Sequence, residues 1–135
     1  MKYLVLTILL FLLQLSALPQ QGHSQVTGKD NIIAIPASGE SIDSYVAENF
    51  SRCPCFCFYN LTTDSITFRE NKYKSASGGA SRLVAQFLAD KGVSKVYTIQ
   101  LGQNARVNLG SFRIESTIVT SGKTVRQIIR SIQDK

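Results

Sequence analysis

From Ala80 to the C-terminus the sequence alternates helix-period and strand-like segments with glycine at the junctions, and no other feature narrows the fold as far. Leu83, Val84, Phe87 and Leu88 recur at helical spacing within residues 80–91, and Gly92 follows in a C-cap position. Lys95-Val96-Tyr97-Thr98-Ile99 reads as a strand, Gly102 precedes a short helix near 104–109, and Phe112 to Val119 reads as another strand. After Gly122, Val125, Ile128, Ile129 and Ile132 share one stripe of a last helix, and Thr124 and Gln127 have the spacing of a capping box at its start.

The first half supplies the rest of a sheet. Ile32-Ile33-Ala34-Ile35 is a continuous apolar, β-branched run that stops at Pro36, the pattern of a strand buried on both faces. Val46 and Phe50 suggest a short helix over 43–50. Cys55 to Leu61 and Ile66 to Glu70 are strand-like, and the short turn between them makes them antiparallel neighbours. The expectation is an α/β domain: a mixed sheet with helices on its faces.

Before this domain, Lys2 is followed by an apolar run from Tyr3 to Leu13 and on to Leu18, closed by Pro19. That is a secretory signal pattern, shorter than the roughly 20 apolar residues of a membrane span. Gly22 and Ser24 are the small residues a signal peptidase needs for a cut after Ser24. The reading is a signal peptide over 1–24, a polar tether over 25–31 and one domain over 32–135, exported to the periplasm or beyond. Membrane contact is expected only if the segment is retained.

Cleavage removes Lys2 and the only histidine, His23, from a chain whose formal net charge is +6. A modest basic excess favours anionic ligands. The charges form no run and carry no interleaved aromatics, so a nucleic-acid partner is not expected. Without histidine there is no Ser-His-Asp or Cys-His set, and no carboxylate pair stands out for acid–base work, so the chain does not read as an enzyme.

Two constellations carry chemistry. Gly78-Gly79, Gly102 and Gly122 each precede a helix, whose N-terminus presents free N–H groups and partial positive charge. With Arg52 and Arg126 they form a candidate anion cradle, or they serve only as tight turns. Cys53, Cys55 and Cys57 alternate with Pro54, Phe56 and Phe58. In an extended segment all three thiols share one side, about 6.6 Å apart, which disfavours a bridge between neighbours. Three readings stay open: ligands for a soft metal or part of a cluster, disulfide chemistry (an intermolecular bridge, or redox activity with the pKa of Cys53 or Cys55 depressed by Arg52), or small buried hydrophobes.

In order along the chain, several stretches resemble the dinitrogenase iron-molybdenum cofactor biosynthesis family, the domain of NifX and of the C-terminal part of NifB. They are Ile33-Ala34-Ile35-Pro36, then Val46-Ala47-Glu48-Asn49-Phe50-Ser51-Arg52-Cys53-Pro54-Cys55-Phe56, Gly78-Gly79-Ala80 and Ala85 to Val93. Leu101-Gly102-Gln103-Asn104-Ala105 and Gly122 to Ile129 complete the series. The resemblance implies a ribonuclease-H-like three-layer α/β/α fold with a five-stranded mixed sheet. It also implies a non-catalytic role in binding and carrying anionic iron–sulfur cofactor precursors. Asn49 stands where the family usually has histidine, a candidate cluster ligand, and Ser51 where it has glycine.

The expected function is an exported, non-catalytic domain that binds or carries a metal, an iron–sulfur-type cluster or another anionic ligand. Cys53, Cys55 and Cys57 are the candidate sulfur ligands, and Arg52, Gly78, Gly79, Gly102, Asn104, Gly122 and Arg126 the candidate ligand-binding residues. A thiol-redox protein, or an interaction domain that has lost its ligand, are the alternatives.

Overall fold

The computed structural model describes residues 31–135. The signal-like segment and the tether up to Asp30 lie outside the described residues. Elements follow in the order β1 (Ile32–Ala37), β2 (Cys55–Asn60), β3 (Ile66–Glu70), α1 (Ala80–Asp90), β4 (Val93–Thr98), α2 (Gln103–Ser111), β5 (Glu115–Ile118) and α3 (Val125–Gln133). No helix among the described residues is long and apolar enough to cross a membrane.

The strands form one five-stranded sheet in the order β3-β2-β1-β4-β5. β2 pairs antiparallel with β1 and β3, while β4 pairs parallel with β1 and β5. It follows that β1, β3, β4 and β5 point one way and β2 the other. The carboxyl ends of four strands and the start of β2 therefore share one edge.

Alternation along the strands sends side chains to two separate cores. Ala34, Phe56, Phe58 and Val96 pack with Val84, Ala85 and Leu88 of α1 and Ala105 and Leu109 of α2. Ile33, Ile35, Cys55, Cys57, Tyr59 and Tyr97 pack with Val125, Ile128 and Ile129 of α3. Two helices cover one face and one covers the other. Phe56, fully buried, meets Phe50 edge-on with centroids 5.7 Å apart and Phe87 at 6.5 Å. A buried side chain of that size contributes about 1.5–3 kcal/mol through burial alone.

Three local expectations need correcting. No helix forms over 43–50: Tyr45 bridges to Thr124 and Val46 to Ala37. Val46 belongs to the α3-side core and Phe50 to the opposite one, so the chain crosses the sheet edge between them. Their spacing of four imitates a helical face without being one. β1 also runs through Pro36 to Ala37, because its ladder to β4 covers only Ile32–Ala34 and ends before the proline. Finally, Phe112 to Ile114 is a turn, with Arg113 at φ 57°, and the last strand starts only at Glu115.

Candidate functional site

The loops 38–54, 71–79, 99–102 and 119–124 all lie at the shared edge, the side of an α/β sheet where ligands bind. A cavity of about 460 Å³ opens there, lined by Asn49, Phe50, Ser51, Ser81, Gln100, Gly102, Gln103, Asn104 and Ala105. Its walls come from the loop entering β2 and from the first turns of α1 and α2.

α1 and α2 both run away from this edge on the same sheet face, so their positive ends point the same way. Each begins on a glycine, Gly79 or Gly102, with no side-chain cap and no acid in its first turn. In α2 the Arg106 N–H bonds the Gly102 carbonyl, and helix geometry leaves the amides of Gln103, Asn104 and Ala105 without a helix partner. In α1 the N–H groups of Arg82 and Leu83 both go to Gly79, leaving those of Ala80 and Ser81. Gly79 has φ 68°, a left-handed conformation that favours glycine.

Side chains add donors to these amides. Asn108 donates to the Ser81 hydroxyl at 3.0 Å, so that hydroxyl keeps its own proton for the cavity. The Asn49 Oδ1 accepts from the Arg52 backbone N–H at 3.1 Å, which leaves the Asn49 NH₂ group as a donor. Among the described residues no lysine, arginine, cysteine, histidine or carboxylate lines the cavity. The site is rich in neutral donors and positive helix ends, an arrangement that accepts an anion.

The edge brings only part of the expected set together. Gly102 and Asn104 line the cavity, whereas Gly78 and Gly79 line a separate depression with Arg82, Leu83 and Gln86. Arg52 turns away, donating through one guanidinium nitrogen to the carbonyls of Lys74 and Ala76, both at 3.0 Å. Gly122 makes a turn at φ 85°, and Arg126 pairs with Asp43 at 2.8 Å, so neither belongs to this cavity.

The cysteines depart from the expected geometry. Cys53 packs in the α1–α2 core, and Cys55 and Cys57 pack in the α3 core. Cys53 and Pro54 precede the regular strand, so the alternation that aligns Cys55 with Cys57 does not extend to Cys53. All three thiols are buried and unbridged, and among the described residues no three His, Cys, Asp or Glu side chains are grouped to hold a metal ion. Burial, with a smaller contribution from Cys55, pushes both Cys53 and Cys57 up to about 12, and Cys55 is raised too. The depressed pKa that a redox thiol beside Arg52 requires is absent.

Sequence reasoning missed Asn71, fully buried at the foot of the cavity wall. Its Nδ2 donates to the carbonyls of Ser51 at 2.9 Å and Cys53 at 3.0 Å, and its Oδ1 accepts from the Tyr73 N–H at 3.0 Å. An asparagine in a polar loop gives no sequence signal of that role.

Residues 31–135 match the family described as "Dinitrogenase iron-molybdenum cofactor". The chain belongs to that family. Among solved structures it is similar to the apo form of the orange protein from Desulfovibrio gigas, with 28% identity and a TM-score of 0.73 over 78% of this chain and 88% of that one. It is also similar to a putative NifB protein from Thermotoga, with 27% identity and a TM-score of 0.68 over 77% and 88% of the two chains. A search of curated protein sequences found no match. The family assignment and these likenesses agree with the five-stranded mixed sheet and three helices described above.

Proposed function

We propose that this domain is a non-catalytic carrier whose cargo, an anionic metal cluster of the iron-molybdenum type, sits in the edge cavity. The observation that carries this reading is the uncapped N-terminus of α2 lining a donor-rich cavity to which the first turn of α1 adds Ser81. Family membership supplies the class of cargo. Asn49, at the position where the family pattern has a candidate ligand, lines that cavity, which supports the same location.

The donor set also favours a manner of holding. Amide and hydroxyl groups do not bond metal ions the way thiolates or imidazoles do, so the cluster is held through hydrogen bonds to its anionic periphery. That suits a carrier, which must release what it binds. The buried cysteines serve as packing on this reading, and the signal-like N-terminus supports a carrier outside the cytoplasm.

The test is an anaerobic titration of the protein with isolated iron–molybdenum cofactor, followed by gel filtration and metal analysis. The expected result is saturable uptake of one cofactor per chain that weakens as salt is raised. Absence of co-eluting molybdenum and iron at low salt would overturn the reading.

A further inference from the structure

The cavity wall at Asn49–Ser51 has no helix or strand of its own, and it owes its position to the segment joining β3 to α1. Hydrogen bonds cross between the two. Asn71 donates through its side chain to the carbonyls of Ser51 and Cys53, and through its backbone N–H to Pro54 at 3.0 Å. Arg52 donates back to Lys74 and Ala76. The same segment runs on through Gly78 and Gly79 into Ser81, which lines the cavity from another side.

The effect reaches the ligand-facing amide by one further bond. The backbone N–H of Arg52 donates to the Asn49 Oδ1 and thereby fixes which end of that side chain is free. Were the turn 51–53 to shift, the Asn49 amide could rotate and present its acceptor oxygen, repelling an anion. We propose that Asn71, seconded by Arg52, is a positioning residue for the cavity, holding the wall so that Asn49 offers donors. This rests on the carrier reading above and adds to it a coupling between the 71–76 loop and the occupied site.

That coupling is reciprocal, since a ligand that needs the wall in place also stabilises the loop that holds it. Bound iron–molybdenum cofactor should therefore slow hydrogen exchange at the amides of Tyr73, Lys74 and Ala76, none of which lines the cavity.

The experiment compares cofactor uptake and exchange in the native protein, Asn71→Ala, Arg52→Ala and Arg52→Lys. Asn71 is buried and its variant is read only if it melts cooperatively, whereas Arg52 is partly solvent-facing and its variants keep the core intact. We expect uptake about tenfold weaker in Asn71→Ala and a few-fold weaker in Arg52→Ala. Arg52→Lys, still able to donate to a carbonyl, should recover part of the loss, and ligand-dependent protection of the 71–76 amides should shrink in Arg52→Ala and vanish in Asn71→Ala. Native-like uptake and protection in folded Arg52→Ala and Asn71→Ala would overturn the positioning role while leaving the carrier reading intact. Failure of the native protein to take up cofactor would remove both.

Discussion

α1, α2 and α3 all begin at one edge of the sheet, yet α3 closes its N-terminus and α1 and α2 leave theirs open. At α3 the Val125 N–H bonds the Ser44 carbonyl at 2.9 Å and the Arg126 N–H bonds Ile42 at 2.8 Å. The Thr124 hydroxyl accepts from the Gln127 N–H, and the Gln127 side chain accepts from the Thr124 N–H, a complete capping box. The loop after β1 is further tied down by the Arg126–Asp43 pair. At α1 and α2 glycines stand where caps would be, and Ser81 of α1 and Gln103, Asn104 and Ala105 of α2 line the cavity. On the proposed reading, identical backbone chemistry serves stability on one face and ligand capture on the other, according to whether the protein itself supplies the acceptors.

If this division holds, changes on the α3 side should alter stability and spare uptake. Ile128→Ala opens a hole in the core that α3 alone covers. It should lower stability by about 2–5 kcal/mol in chemical denaturation while folded molecules still bind cofactor. A loss of uptake by the folded fraction would break the comparison.

Thr124→Ala removes one half of the capping box and should lower stability by about 1 kcal/mol, again with uptake unchanged. Another effect concerns the thiols that both cores contain. The protonated form of Cys53 and Cys57 persists in the folded chain to about 12, against an ordinary 9.0. The unfolded chain releases those protons first, so their contribution is complete below pH 9 and is lost as pH rises toward 12. Thermal melting between pH 8 and 10.5 should fall less steeply in Cys57→Ala than in the native protein. An equal slope would show that the thiol does not set it.

How much of this the sequence carried depends on whether a residue's role is periodic. The helix over 80–91, the hairpin through Asp64 and Ser65, and the Thr124–Gln127 box were legible because spacing alone defines them. Segment 43–50 misled because Val46 and Phe50 serve opposite cores across a sheet edge, which spacing cannot reveal. Cys53 was misplaced for a related reason, since strand alternation starts only at Cys55. Of the candidate cradle, Gly102 and Asn104 line the cavity, and of the two only Gly102 carries the pattern of a glycine after a strand and before a helix. Arg126 was not excluded by sequence, because its partner Asp43 lies far along the chain and meets it only in the fold. Asn71 had no pattern to announce it at all.

The central claim is that uncapped amides at α2 are the ligand site, and Gly102→Asp tests it most directly. Gly102 has φ −64° and ψ 160°, a conformation any residue adopts at an N-cap, and a Cβ there meets nothing within 4 Å. The new carboxylate would accept from the amides of Asn104 or Ala105, as caps do. The account predicts a variant more stable by a few tenths to about 1 kcal/mol, whose cofactor uptake is at least about tenfold weaker. A variant equally or more stable that binds cofactor as well as the native protein would contradict it.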